Sequence, residues 1–378
     1  IDAPRYGPVR SDSPVTLTGS ATSITTSGSI TFNDTLEGTN AGNQNLTLAA
    51  NNGDISFTDI GNTTRLGNLT ISSANDVTAN SITAASIRQI SGTGVTELGA
   101  LNTNMALGIN LTGTNFILND AITTTGGGVT IDNSGQLTLN SNVDMNLGGA
   151  FLQQGTGAVS TGADITTNNA DITFNGAVTQ TEETTLAAGT GTINLNSWNA
   201  GNNPLSLMAD EMNFVGGDNS VTGQNTLTLK PATTNLNIAI AGTEGTAALD
   251  LTTTDLNALA NGFSQIIIGA EDITSDVTVN SVTFQDPVTI QTSENSIITT
   301  NGLITGEDDA TITLNASETI LNDGITTNGR DITIFGNTVL GQNLPDKNLP
   351  DPIGTATLTT GEAGGNIIFN GDVSDSLD

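Results

Sequence analysis

The sequence predicts an all-β protein: a right-handed parallel β-helix, or solenoid, with coils of about 20 residues and one short helical insertion. Three observations predict it. First, a strand–turn–strand phrase recurs, since the run from Ile165 to Gly176 returns in recognisable form from Ile325 to Gly336. Partial echoes run from Ile24 to Asn33, from Ile122 to Ile131 and from Gly365 to Gly371. Second, apolar–polar–apolar triplets recur at a rough period. Ile172, Ile193, Met212 and Leu227 open one series with steps of 21, 19 and 15, and Ile312 and Ile332 open another with a step of 20. In each triplet the outer residues share one face and the middle Thr or Asn points the other way, as in a half-buried strand. Third, the composition suits strands and tight turns. Thr, Ile and Val favour pleated surfaces, and Asn together with 44 Gly supplies the positive-φ positions of turns. Disorder fits poorly, because 35% of the residues are hydrophobic and they alternate.

Each element follows in order. Residues 1–14 carry Pro4, Pro8 and Pro14 but no triplets, and are expected to form an N-terminal tail or cap. Residues 15–342 hold the repeats, with two or three strands per coil. Stacked coils lie roughly 4.8 Å apart, so about 18 coils would give a rod on the order of 85 Å long. Asn52-Gly53, Asn175-Gly176, Asn301-Gly302, Asn328-Gly329 and Asn370-Gly371 are candidate corners. Asn-Gly is also the strongest short hairpin signal, so a tandem array of antiparallel sandwiches is the structural competitor. No unit of ~100 residues recurs as sandwich domains would require, which favours the coil; right-handedness follows from the general crossover preference. Thr254 to Ala260 breaks the triplet rule and predicts one or two helical turns, with Thr254 as N-cap and Gly262 as the stop. Phe263 to Ile268 resumes as a strand. Residues 343–352 repeat Asn-Leu-Pro-Asp and add Pro352, so they are expected to leave the ladder as a loop. Residues 353–378 form the last repeat and a C-terminal tail.

Charge narrows the function. With 38 acids against 7 bases the net charge is −31, and no basic stripe exists for nucleic acid or an anionic membrane surface. Acidity of this kind keeps a long β-protein soluble and guards its edges. Zero Cys and zero His remove disulfides, thiolate metal sites and the commonest general base. No apolar run approaches the ~20 residues that span a bilayer, so membrane insertion is not expected. The chain opens at Ile1, with no signal peptide, and is expected to derive from a longer precursor.

Candidate chemistry is sparse. The acid clusters are Glu182-Glu183, Asp210-Glu211, Glu271-Asp272 and Glu307-Asp308-Asp309. Glycosidases need two carboxylates about 5 to 9.5 Å apart around a sugar. Neighbours within a strand point to opposite faces, so Glu182 and Glu183 pair poorly. One Trp (Trp198), one Tyr (Tyr6) and scattered Arg leave little to stack on or neutralise a polysaccharide. No catalysis and no cofactor are expected. Calcium prefers the oxygen ligands that acidic turns supply, and Glu307, Asp308 and Asp309 are the candidate site. Yet no Asp-x-Asp-x-Asp-Gly loop occurs, and Gly216-Gly217-Asp218 is only a fragment of a calcium-repeat pattern. Outward Thr could form an ice-binding ladder, but Asn and Ser interrupt it.

The repeats resemble those of large bacterial exoproteins of the filamentous-haemagglutinin type, and the long Gly/Asn/Thr-rich repeat adhesins of aquatic bacteria. The likeness rests on the run from Leu46 to Phe57, echoed from Leu186 to Leu195, and on Leu66 to Ser72, Val77 to Thr83 and Leu256 to Ile266. It implies a secreted parallel β-helix at or beyond the cell surface that serves adhesion, aggregation or matrix building. The family's N-terminal secretion domain is not recognisable here. The expected partners are copies of the chain, other cell-surface components and glycans. The alternatives are a polysaccharide-degrading β-helical enzyme and a calcium-dependent surface-layer or assembly protein.

Overall fold

A computed structural model describes residues 7–243, 248–341 and 356–375. Tyr6 and the Pro-rich run 343–352 lie outside the described residues. The described chain is nearly all β, its parallel strands stacked as a β-solenoid of about 16 turns roughly 21 residues apart. It divides into two compact units, Ile1–Ala188 with Asn194–Trp198, and Gly189–Ile193 with Asn199–Asp378.

In the first unit each coil contributes three short strands, and each joins its own stack. One stack runs through Ile30, Ile55, Val77, Thr96, Phe116, Leu137 and Val159. The second runs through Leu36, Ile60, Ile82, Leu101, Ile122, Met145 and Ile165. The third runs through Leu46, Leu69, Ile87, Ile109, Val129, Phe151 and Ile172. All of these pairings are parallel, which disposes of the hairpin alternative. The ladder fixes register: a slip of one residue would turn every Ile and Leu of a strand outward. Nearly all of these inward side chains are below 3% exposed, and the paired backbone groups bond between coils rather than within them. Asn175 and Gly176 fall within the continuous strand Ile172–Gln180, at the corner where it passes from the third stack (Ile172–Phe174 on Phe151–Gln153) to the first (Val178–Gln180 on Val159–Thr161). Regular pairing starts earlier than the triplets imply. Val9–Ser11 already pairs with Ile30–Phe32, within the segment expected to be a tail.

Corners are held by a recurring side-chain bond between coils. An Asx oxygen at a strand start accepts the backbone N–H of the equivalent corner one coil later. Asp54 Oδ1 accepts from Asp76 (3.2 Å), and Asp76 Oδ1 from Val95 (2.7 Å). Asn115 does the same for Gln136 (2.9 Å), Asp164 for Thr185 (2.7 Å), and Asp276 for Ile297 (3.0 Å) in the second unit. Polar groups also penetrate the core; among the described residues the hydroxyls of Thr103, Thr319 and Thr338 find no partner there, whereas the large polar side chains are paired. Gln153 Nε2 donates to Asn133 Oδ1 (2.7 Å) and its Oε1 accepts the Gly176 N–H (2.7 Å). The indole of Trp198, fully buried, donates to Gln180 Oε1 (2.8 Å) and meets Phe174 edge-on at 5.4 Å.

The second unit repeats the arrangement with two enlarged coils. Leu205 pairs with Leu227, which pairs with Ile266. Leu227 therefore belongs to another stack than Met212, and the 15-residue step read from the sequence joins strands on different faces. Between Leu227 and Ile266 the chain makes an excursion. Leu249–Leu251 pairs with one side of Ile238–Ile240, while Val277–Val279 pairs with the other. The stack order is thus 249, 238, 277, and the chain doubles back before it climbs. The helix α1, Thr253–Ala258, then returns it to the bridge between Leu259 and Val221. A second enlargement separates Ile332 from its partner Ile367 by 35 positions, and it contains the residues 342–355. These two coils consume the length that leaves about 16 turns where 18 were expected.

The helix N-cap is Thr252, not Thr254. Asp255, at the third helical position, decides it: the Thr252 hydroxyl accepts from the Asp255 N–H and the Asp255 carboxylate accepts from the Thr252 N–H (3.0 Å). Asp255 Oδ1 also accepts the buried Phe214 N–H (2.9 Å), which ties the helix to the preceding coil. The helix stops at Leu259 in an extended conformation, and Gly262 (φ 138°) is the turn into the next strand, Gln265–Gly269. A side chain at Gly223 would strike the Phe263 ring at 2.3 Å, so this glycine admits the aromatic that seals the insertion.

Among the described residues the outermost strands pair on one side only. At the C-terminal end Ile367–Asn370 and Val373–Asp375 rest on Ile332–Leu340, and Ile367, Phe369 and Val373 are 40%, 36% and 48% exposed.

Two stability measurements check this account. Trp198→Ala should cost about 3–5 kcal/mol by urea denaturation, because it leaves a cavity and strips Gln180 of its donor, whereas Trp198→Phe should cost less. Asp76→Ala should lower stability by about 1 kcal/mol and Asp76→Asn by less, since an amide oxygen still accepts the Val95 N–H.

Candidate functional site

The expected cation site is a turn at the end of strand Ile304–Gly306. Glu307 donates its N–H to Phe284 O (2.8 Å), and Ala310 donates back to Glu307 O (3.0 Å) to close the turn. Asp308 sits at φ 51°, a left-handed conformation that Asp tolerates better than most residues. Its carboxylate accepts from the Asn261 amide (2.9 Å), and its carbonyl accepts from Arg330 Nε (3.1 Å).

Folding brings a fourth acid to this turn. Asp286, only 3% exposed, lies near Asp308 and Asp309 and accepts the N–H groups of Gly262 (2.8 Å) and Phe263 (3.1 Å). Burial pushes its pKa above the usual carboxylate value, and the charges of Asp309 and Asp308 add to the rise; the two backbone N–H groups oppose it. Asp286 also lines a cleft of about 300 Å³ with Asp218, Asn219, Asn257 and Asn261, walled by Leu256. The cleft exists because the helical insertion stands beside the turn of the following coil. Sequence reasoning missed Asp286, which follows a Val-Thr-Phe triplet and looks like one more turn acid.

Among the described residues no group of three or more acidic side chains is disposed to hold a metal ion. The turn spreads Glu307, Asp308 and Asp309 along the backbone, and Asn261 already engages the middle carboxylate.

Of the other acid clusters, Asp210, Glu211 and Glu271 serve the backbone or a neighbouring amide. Asp210 accepts from the Thr233 N–H (2.7 Å) and hydroxyl (2.6 Å), and Glu211 from the Met212 N–H (3.0 Å). Glu271 accepts from the Asn315 amide (3.1 Å). The Glu182 carbonyl accepts from the Gln180 amide (2.8 Å) at a corner. Trp198 is fully buried, so it offers no platform to a sugar.

No helix among the described residues is long and apolar enough to cross a membrane. The fold and its corner chemistry define a parallel β-solenoid repeat protein. Beyond that class, no family model, no curated protein and no solved structure matches the chain.

The buried acid makes a pH prediction. A carboxyl with a raised folded pKa binds a proton that the unfolded chain has released, so stability falls as pH rises from the usual value of 3.8 through the folded value. Urea midpoints taken across that interval should fall less steeply for Asp286→Asn than for the wild type. Parallel pH profiles would show that Asp286 carries no such penalty.

Proposed function

We propose that this protein is a non-catalytic structural and adhesive scaffold of the cell surface or extracellular matrix, whose sheet edges pair with those of further copies. The observation that carries the proposal is the parallel ladder, in which the backbone groups of each coil are satisfied by the coils beside it. Among the described residues Ile367–Asn370 and Val373–Asp375 pair on one side, beside exposed Ile367, Phe369 and Val373, and their other side suits a further strand. Soluble β-proteins ordinarily blunt such an edge with proline, Lys or a covering loop.

The use of the acids supports the same reading. In the Asp210-Glu211 pair both carboxylates accept backbone N–H groups, and a high density of surface acid keeps an edge-bearing protein from pairing indiscriminately. Secretion and surface display are what the resemblance of the repeats adds.

Association is the test. Light scattering and negative-stain electron microscopy of the purified chain should show mass rising with protein concentration, and more steeply at high salt, where repulsion between copies of net charge −31 is screened. The double variant Phe369→Lys, Val373→Lys should remain monomeric with an unchanged circular-dichroism spectrum. A wild-type chain that stays monomeric at every concentration and salt would remove this proposal.

A further inference from the structure

The third stack of the first unit presents an outward column that runs Thr47, Thr70, Arg88, Asn110, Thr130 and Leu152, one residue per coil in register. In a chain of net charge −31 this column holds no acid and one base. Arg88 is exposed, and no hydrogen bond or ion pair engages it among the described residues. The other described arginines are occupied: Arg10 by Asp12, Arg65 by the carbonyls of Ala84 and Asn102, and Arg330 by the Asp308 carbonyl.

A groove of about 430 Å³ surrounds Arg88, lined by Asn68, Thr70, Ser86, Asn110 and the side of Leu107. Register sets Thr70 and Asn110 about 4.8 Å to either side of it. Asn68 and Ser86 form the next row, tied by a bond from the Ser86 hydroxyl to Asn68 Oδ1 (2.8 Å). Among the described residues of the first unit the exposed large apolar side chains are Ile90 (42%), Met105 (55%) and Leu107 (73%), and all belong to the two coils that hold Arg88 and Asn110. A cation, a neutral hydroxyl and amide floor, and exposed aliphatic groups thus coincide at one place.

We infer that this groove binds a carboxylated sugar, a uronate unit of an acidic polysaccharide. The guanidinium presents a planar fork that matches a carboxylate with two parallel bonds. Asn68, Thr70, Ser86 and Asn110 offer donors and acceptors to ring hydroxyls, and Leu107 gives an apolar surface to the C–H face of the pyranose. An acidic peptide fits less well. The backbone groups of this stack are consumed by the inter-coil ladder, so none remains for strand addition, the usual means of holding an extended peptide. Elsewhere the acidic surface repels polyanions, which directs such a ligand to this face.

The inference rests on the adhesive reading and names what the face grips; its test is separable from self-association. Titration calorimetry of the whole chain with an oligogalacturonate, its fully methyl-esterified form and a poly-Glu peptide of matching charge is the experiment. The oligogalacturonate should bind, with affinity falling as salt rises, and the ester and the peptide should bind weakly or not at all. Arg88→Gln should weaken binding about tenfold or more, the equivalent of one charge-assisted pair. Arg88→Lys should keep part of the affinity, Leu107→Ser should lose less than Arg88→Gln, and Arg10→Gln should match the wild type. Arg88→Gln should leave the melting temperature and light-scattering behaviour unchanged, so loss of binding with intact association isolates this face. Absence of binding by the wild type, equal binding by Arg88→Gln, or equal affinity for the ester or for poly-Glu would each overturn the assignment.

Discussion

The structure depends on one constraint: the backbone bonds of a strand lie between coils. Each coil must therefore present its three strands at the same positions as the coil beneath it, and only its corners are free to change length. In the first unit, steps within a stack vary from 18 residues between Leu69 and Ile87 to 25 between Ile30 and Ile55, yet the paired residues stay in register. The variation is absorbed where the chain turns. There a backbone N–H that misses a carbonyl is satisfied by the Asp or Asn of the preceding coil. Much of the acid in this sequence has that local use, and the high net charge is partly its by-product.

The same constraint explains what could be read from the sequence. The triplets were legible because a buried pair around an outward polar residue has a period of two wherever it occurs. The number of strands per coil was not, because all three faces carry the same pattern. Met212 and Leu227 look like successive members of one series but lie in different stacks. The helix was legible as a break in alternation. Its cap was misplaced because Thr252, Thr253 and Thr254 are equivalent until Asp255 selects the first of them. The reversal of stack order at 238 and 249 has no local signal, since both strands read as ordinary apolar alternation and only the ladder orders them.

Site residues follow the same division. Glu307, Asp308 and Asp309 were legible as an acidic turn because they are contiguous. Asp286 was not, because a solenoid brings residues one coil apart into contact, and neither position announces the other. Its burial depends on the insertion, whose Gly262 and Phe263 N–H groups it accepts. Arg88 was passed over as one scattered base among seven. The available signal was its position: it occupies the middle of the triplet Ile87-Arg88-Gln89, where the equivalent residues of neighbouring coils are Thr70 and Asn110.

These placements bear on where a protein of this construction can hold a ligand. The interior is filled by stacked side chains, and even its amides, Asn133 and Gln153, are satisfied by one another and by corner backbone. Chemistry is left to outward columns, corner turns and free edges, which differ in kind. Edges expose backbone and suit other strands. Corners expose carboxylates, and those of Asp54, Asp76, Asp164, Asp210 and Asp276 are already engaged with N–H groups. The columns alone expose side chains that the fold leaves unspent, because an outward residue in mid-strand contributes little to register. A base placed there gains nothing for the ladder, so the position of Arg88, between neutral neighbours and beside exposed Leu107, is better accounted for by recognition than by stability.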